Sequence, residues 1–245
     1  MMLRMSIARA TVAAGTVEVW WSPIDLSPAQ LDTLRATLDA ATRDRIAALV
    51  RPDDRLRALV AHGILRRRAA AALGVPAADL RLRRTCPTCG ATDHGKPELD
   101  VPTAPAISLS HAGRFAVVAL SVDGPVGVDV EDARPDVDWE RARRHVFSDA
   151  EWDASAHAPD PAAARLAAWS RKEAASKVTG HGVALGLERV LVAAGADADG
   201  WHAADLPDGL GAVRVADVAL DGAVAAVAVP AGGTSVDRTV RRAEV

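Results

Sequence analysis

The segment Pro125-Val-Gly-Val-Asp-Val-Glu131 constrains the fold of this chain more tightly than any other. In a strand, successive side chains take opposite faces, so Val126, Val128 and Val130 share one face and Gly127, Asp129 and Glu131 the other. The valine face needs an apolar layer over it. The other face sets two carboxylates about 7 Å apart, with a glycine leaving room beside them. Like charges so placed repel one another unless a cation lies between them. Oxygen donors without cysteine or histidine favour magnesium or manganese over zinc. Taken alone, the pair is better explained by a strand end that dips into solvent.

A second segment bears on the choice. Ala162 to Gly180 reads as a helix, opened by the N-cap and first-turn pair Asp160-Pro161 and stopped by Gly180. Trp169, Glu173 and Lys177 are spaced by four and lie in one row along it. Glu173 and Lys177 alone would be a routine surface ion pair, worth about 0.3–0.5 kcal/mol. A tryptophan in the same row argues for a covered face. Glu173 could then complete a three-carboxylate metal site, and Lys177 could neutralise a phosphate.

Around these segments the sequence predicts an α+β protein. Val17 to Trp21 reads as a strand, and Ser27-Pro28 opens a helix with Leu31, Leu34 and Leu38 at helical spacing. A longer helix runs from Pro52 to Leu73, decorated by Arg55, Arg57 and Arg66-Arg67-Arg68, and ends at Gly74. Residues 84–106 read as a long loop. Strands follow at 106–110, 115–121 and 126–131, then a helical region over 138–179, then strands at about 211–220 and 223–229. The order strand, helices, strands occurs twice, which suggests two comparable halves, 1–125 and 126–245. Aromatic residues make up 3% of the chain, with no tyrosine, so the cores must be built mostly from small aliphatic side chains.

Charge divides along the same line. Residues 1–125 hold 16 Lys and Arg against 12 Asp and Glu, a net of +4; residues 126–245 hold 13 against 20, a net of −7. A basic half joined to an acidic half could hold a phosphate-rich ligand and a metal, although two solvated surfaces would give the same count. Met1 to Val19 resembles a signal peptide only faintly, because Arg4 and Arg9 interrupt it, and no later run approaches the ~20 apolar residues of a membrane span. The chain reads as cytoplasmic, without membrane or nucleic-acid partners.

The two cysteines, Cys86 and Cys89, form a CxxC half-motif in a Pro- and Gly-rich turn. A zinc site needs about four ligands, and only His94 and Asp93 are near in sequence. A structural knuckle, a zinc ligand pair and a redox pair all remain open, with the missing second CxxC favouring the first.

Gly127-Val-Asp-Val-Glu131 and Trp169-Ser-Arg-Lys-Glu-Ala-Ala-Ser-Lys177, in that order and about forty residues apart, strongly resemble the two hallmark motifs of the Sfp-type 4′-phosphopantetheinyl transferases. Gly95-Lys96-Pro97 resembles the family's GKP turn, and Ser108-Leu-Ser-His111 its serine-histidine strand end. Cys86 to Asp93 departs from the pattern. The resemblance spans roughly residues 20–230.

It implies two similar α+β halves related by a pseudo-twofold, with coenzyme A in the cleft between them. It implies Asp129, Glu131 and Glu173 as ligands of Mg2+, and Arg45, Arg57, Lys96, Ser110 and His111 as contacts to the coenzyme's nucleotide end. Glu173, Lys177 and Lys172 are the implied catalytic residues: Glu173 or a magnesium-bound water as base, and Lys172 or Lys177 on the departing phosphate. The implied reaction carries phosphopantetheine to a serine of an acyl, polyketide or nonribosomal-peptide carrier protein, with release of 3′,5′-ADP; the two internal halves make a monomer reasonable. A nucleotide-pyrophosphate hydrolase could use the same carboxylates, and a non-catalytic binding module would tolerate losing one of them. A zinc-dependent nucleic-acid binder lacks both a second ligand pair and an overall basic charge.

Overall fold

The computed structural model describes residues 12–133, 137–232 and 237–245, so the first eleven positions of the leader-like stretch lie outside the described residues. Strand β1 (Thr16–Pro23) leads to helix α1 (Pro28–Ala36), which opens on a reciprocal cap. The Ser27 hydroxyl accepts from the Gln30 amide, and the Gln30 side chain accepts from the Ser27 amide. The helix ends earlier than its leucine spacing predicts. The Thr37 hydroxyl donates to the Leu34 carbonyl, and Asp39 caps a new helix, α2 (Ala40–Ala47), by accepting from the Thr42 amide. Leu38 therefore reaches the core from the link between two helices.

Helix α3 (Pro52–Leu73) runs from a first-turn proline to Gly74, which takes the left-handed conformation with φ 68°. Its central stretch is buried nearly all round. Arg66 is wholly buried rather than decorating the surface: it donates to the Thr37 and Leu80 carbonyls and pairs with Asp39 at 3.0 Å. The expected loop over 84–106 holds a small hairpin, β2 (Leu82–Arg84) and β3 (Pro97–Leu99), from which residues 85–96 make an excursion.

After β4 (Ala106–Ala112), β5 (Phe115–Ser121) and β6 (Gly127–Asp132) come α4 (Trp139–Val146), α5 (Asp149–Ala156) and α6 (Pro161–Thr179). The chain then closes with β7 (Leu191–Ala196), β8 (Trp201–Asp205), β9 (Ala212–Leu220), β10 (Ala223–Pro230) and β11 (Asp237–Arg242). One sheet has the order β11-β1-β5-β4 and the other β6-β10-β9-β8-β7. Residues of the C-terminal part thus supply an edge strand, β11, that pairs parallel with β1.

Alternation on each strand builds the layers. Val17 and Val19 of β1, Val117 and Ala119 of β5, Val128 and Val130 of β6, and Val227 and Val229 of β10 meet in one apolar cluster between the two sheets. The opposite face of the first sheet, through Trp20, Val118 and Leu120, packs on α3. The opposite face of the second, through Val213, Val215, Ala226 and Ala228, packs on Ala174, Ala175 and Val178 of α6. Small aliphatic residues fill each interface, as the composition requires. Among the described residues no helix is long and apolar enough to cross a membrane.

Candidate active site

The valines of β6 face the other sheet, which turns Gly127, Asp129 and Glu131 toward α6. At Gly127 helix and strand are in close contact. A Cβ added there would lie 1.9 Å from the Ala174 carbonyl oxygen and 3.0 Å from the Val178 amide nitrogen. This contact brings the row of Trp169, Glu173 and Lys177 beside the carboxylates two and four residues on. On its other side β6 runs along β4, joined to it by two serines. Ser108 accepts from the Val128 amide at 3.0 Å, and Ser110 donates to Asp129 at 2.8 Å.

Lys177 stands at the centre of the site. Its ammonium donates to Asp129 Oδ1 at 2.6 Å and to Ser110 at 3.1 Å, and it pairs with Glu173 at 3.4 Å. Trp169 donates its indole N–H to the other oxygen of Glu173 at 2.9 Å. The tryptophan therefore orients the carboxylate. Asp129 is almost fully buried, and its second oxygen, Oδ2, has no hydrogen-bond partner.

Crowding shows in the acidities. Burial pushes the Glu131 carboxyl up to about 8, and the charges of Asp129 and Glu173 add to the shift against the pull of Lys177. Asp129 is raised by burial and by Glu173, with Lys177 and Ser110 opposing. Burial would lower Lys177, but Asp129 and Glu173 hold it above its ordinary value. When an acid's folded pKa is raised, the unfolded chain loses its proton first, and stability falls as pH climbs from the ordinary 4.5 toward about 8. Buried His62, held down to about 3 by burial, acts with the opposite sign, but only below its ordinary 6.5. In the absence of divalent cations, Glu131 is expected to lower stability by about 1–2 kcal/mol between about pH 6.5 and about pH 8, while Lys96 and Cys86, lowered to about 8 and about 7, act in the opposite sense. Magnesium should restore it most at the alkaline end. Denaturant midpoints at both pH values, with and without magnesium, check this. A metal-free midpoint that falls no further with pH in the wild type than in Glu131→Gln would contradict it.

These residues suit a hard cation in charge and donor type, although their three carboxylates do not all lie within 4.8 Å of one another and Lys177 stands between Asp129 and Glu173. All three carboxylates offer oxygen, two have raised pKa values, and one has a buried oxygen without a partner. Lys177 supplies part of the missing positive charge between Asp129 and Glu173.

The remaining expected residues divide. Lys96 lines a cleft of about 600 Å3 together with Lys177, Ser108, Arg84 and His181. Its ammonium donates to the Val126 and Val178 carbonyls, so it ties the end of α6 to the start of β6, and burial lowers its pKa to about 8. Arg45 donates to the Asp93 carbonyl and lines an adjoining cavity of about 410 Å3 with Arg83 and Arg84. Arg57 lies near His111, holding the Gly113 carbonyl and Asp54; burial and then Arg57 and Lys177 lower the His111 pKa. Arg84 and His181 were not singled out by their sequence contexts, although His181 directly follows the helix-stopping Gly180.

Lys172 is the exception. It is wholly buried, and its ammonium donates to Glu151 at 2.6 Å and to the Val146 and Leu187 carbonyls. On a helix, five residues from Lys177 and one from Glu173, it points away from their row. Its contacts tie α4 and α5 to α6, so it supports the helix and does not join the cluster. Lys172→Ala should therefore destabilise the fold by about 3–5 kcal/mol, the cost of breaking a buried ion pair from one side. Lys172→Met should cost less and leave the catalytic rate of the folded fraction near normal. Thermal melts paired with rates per folded molecule separate the two roles; a stable Lys172→Met protein with a collapsed rate would return Lys172 to the chemistry.

The fold and site define an α+β protein with a buried acidic centre, crossed by a lysine, at the edge of a cleft lined with basic side chains. Comparison with known proteins names the family. Residues 125–226 match the 4′-phosphopantetheinyl transferase superfamily. The chain is 30% identical over 186 residues to a 4′-phosphopantetheinyl transferase of Bacillus subtilis, covering 75% of this chain and 78% of that one. It is 29% identical over 188 residues to the 4′-phosphopantetheinyl transferase HetI of Nostoc sp., covering 75% and 76%. The chain belongs to the 4′-phosphopantetheinyl transferase family.

Proposed function

We propose that this chain transfers the 4′-phosphopantetheine arm of coenzyme A to a serine of an acyl, polyketide or nonribosomal-peptide carrier protein, with magnesium, releasing 3′,5′-ADP. It would act as a monomer in the cytoplasm. The observation that carries the reading is Asp129, held through one oxygen by Ser110 and Lys177 while its other oxygen is buried without a partner. Asp129, Glu131 and Glu173 would hold Mg2+, which when bound neutralises charge on the pyrophosphate of the coenzyme.

The serine oxygen attacks the β-phosphorus, and the bond from that phosphorus to the bridging oxygen breaks, so the nucleotide leaves as 3′,5′-ADP. Catalysis of this kind rests mainly on positioning and on charge neutralisation. Glu173, fixed by the Trp169 indole, accepts the serine proton. Lys177 offsets the charge that develops on the leaving phosphate. Lys96 lines the approach, and Arg45, Arg57, Ser110 and His111 receive the nucleotide end.

The test is the intact mass of apo-carrier proteins of all three classes after incubation with coenzyme A and magnesium. At least one should gain a single phosphopantetheine, and its serine-to-alanine variant should gain none. Consumption of coenzyme A without any carrier would identify a pyrophosphate hydrolase instead.

A further inference from the structure

The excursion between β2 and β3 brings together three side chains that the carboxylate site does not use. The chain turns at Cys86, whose amide donates to the Ala91 carbonyl and whose carbonyl accepts from the Gly90 amide. Gly90, at φ 73°, takes the left-handed turn that lets the chain double back. Gly95 then packs so tightly on the first limb that a Cβ there would meet the Thr85 carbonyl oxygen at 2.8 Å. As a result the Cys86 and Cys89 sulfurs and a ring nitrogen of His94 all lie within 4.8 Å of one another. No other group of three candidate ligands among the described residues is gathered so closely.

Two distances fit a particular ion. Cys89 Sγ lies 3.4 Å from His94 Nε2. Zinc–sulfur and zinc–nitrogen bonds at a tetrahedral angle would set those two atoms about 3.6 Å apart. His94 Nδ1 lies 2.7 Å from Asp93 Oδ1. This is the outer hydrogen bond by which a carboxylate fixes the tautomer and ring orientation of a metal-bound histidine. Asp93, considered above as a ligand, is thus placed as the partner of one. Two thiolates and an imidazole are soft and borderline donors, unlike the oxygens around Asp129, and suit zinc rather than magnesium.

We propose that Cys86, Cys89 and His94 bind one zinc ion, with Asp93 orienting His94 and a solvent molecule completing the coordination. All three ligands line the same cleft as Lys96 and Lys177. Lys96 follows His94 by two residues, so the ion pins the excursion that carries this lysine into the cleft. Without it, the excursion is held by scattered bonds, such as those from Arg84 to the Gly95 carbonyl and from Arg45 to the Asp93 carbonyl.

The experiment measures zinc in the full chain purified without chelator and reduced before analysis, by elemental analysis and by titration against a chromophoric chelator. One zinc per chain is expected. Cys86→Ser, Cys89→Ser and His94→Ala should lose it on gel filtration, and His94→Cys, which restores a ligand, should keep it. Asp93→Ala should weaken zinc binding about 10–100-fold. Cobalt put in place of zinc should show thiolate-to-metal charge transfer in the wild-type protein and not in Cys86→Ser. Hydrogen exchange over residues 86–95 should slow when zinc is returned to stripped protein. Reduced wild-type protein that neither carries zinc nor takes it up from the chelator would overturn the proposal. So would a purified protein lighter by two hydrogens, with Cys86 and Cys89 joined, that fails to bind zinc once reduced.

Discussion

Glu173→Gln is expected to lower the rate of phosphopantetheine transfer by about 10^2–10^4-fold, the range for loss of a positioned proton acceptor, while the protein stays folded. The substitution keeps the side chain's shape and an oxygen that can still accept from Trp169, so the row on α6 is preserved. What it removes is one negative charge from a crowded group. The repulsion that raises Asp129 and Glu131 weakens, and the variant should melt at or above the wild-type temperature. A slow enzyme that is at least as stable as its parent is the signature of a catalytic residue, because a merely structural role would lower both. Circular dichroism, melting temperature and transfer rate are measured on the same sample. Near-normal turnover would remove Glu173 from the chemistry.

Gly127→Ala should fail for a mechanical reason. The added methyl would meet the backbone of α6 at Ala174 and Val178, and a backbone cannot rotate out of the way. The helix must move, and with it Glu173 and Lys177, away from Asp129 and Glu131. Overpacking of this kind costs about 1–3 kcal/mol, or roughly 2–4 °C of melting temperature per kcal/mol in a chain of this size. A displacement near 1 Å between reacting groups costs about 100-fold in rate. The variant should therefore lose both stability and transfer, unlike Glu173→Gln. A Gly127→Ala protein with wild-type melting and wild-type rate would mean that α6 does not seat on β6 as closely as described.

The sequence was most informative where local chemistry and long-range packing agree. Pro52 and Gly74 bound α3, and Asp160 and Gly180 bound α6, because caps are local signals that packing left in place. Alternation in Gly127 to Glu131 placed the carboxylates, since a strand face is fixed by geometry alone. Where packing decides, the pattern was silent. Strand β7 is largely alanine and glycine, and β11 is the polar run Asp-Arg-Thr-Val-Arg-Arg, which pairs with a strand more than 200 residues earlier. Neither has a periodicity that marks a strand. Leu38 fitted a helix period, but the Thr37 and Asp39 side chains end one helix there and start another.

Within the site, spacing identified the row of Trp169, Glu173 and Lys177 but could not show that Lys177 reaches across to Asp129 and Ser110. Nor could it show that its neighbour Lys172 is buried against Glu151. Both are lysines on one helix; only the faces they meet distinguish them. Cys86 and Cys89 looked like half a motif because the expected partner was a second CxxC. The turn at Gly90 and Gly95 brings His94 back to them instead.

The most direct measurement of the central claim follows one apo-carrier protein by intact mass through a cycle of metal removal and return. With coenzyme A and magnesium, the carrier should gain one phosphopantetheine on its serine, and an equal amount of 3′,5′-ADP should appear. With a chelator in excess, both products should fall to background. Magnesium added beyond the chelator should restore both, in the wild-type protein and not in Glu173→Gln. Transfer that continues unchanged under chelation would contradict the assignment of Asp129, Glu131 and Glu173 to a metal. No transfer to any apo-carrier class, with magnesium and fresh coenzyme A present, would contradict the proposed reaction itself.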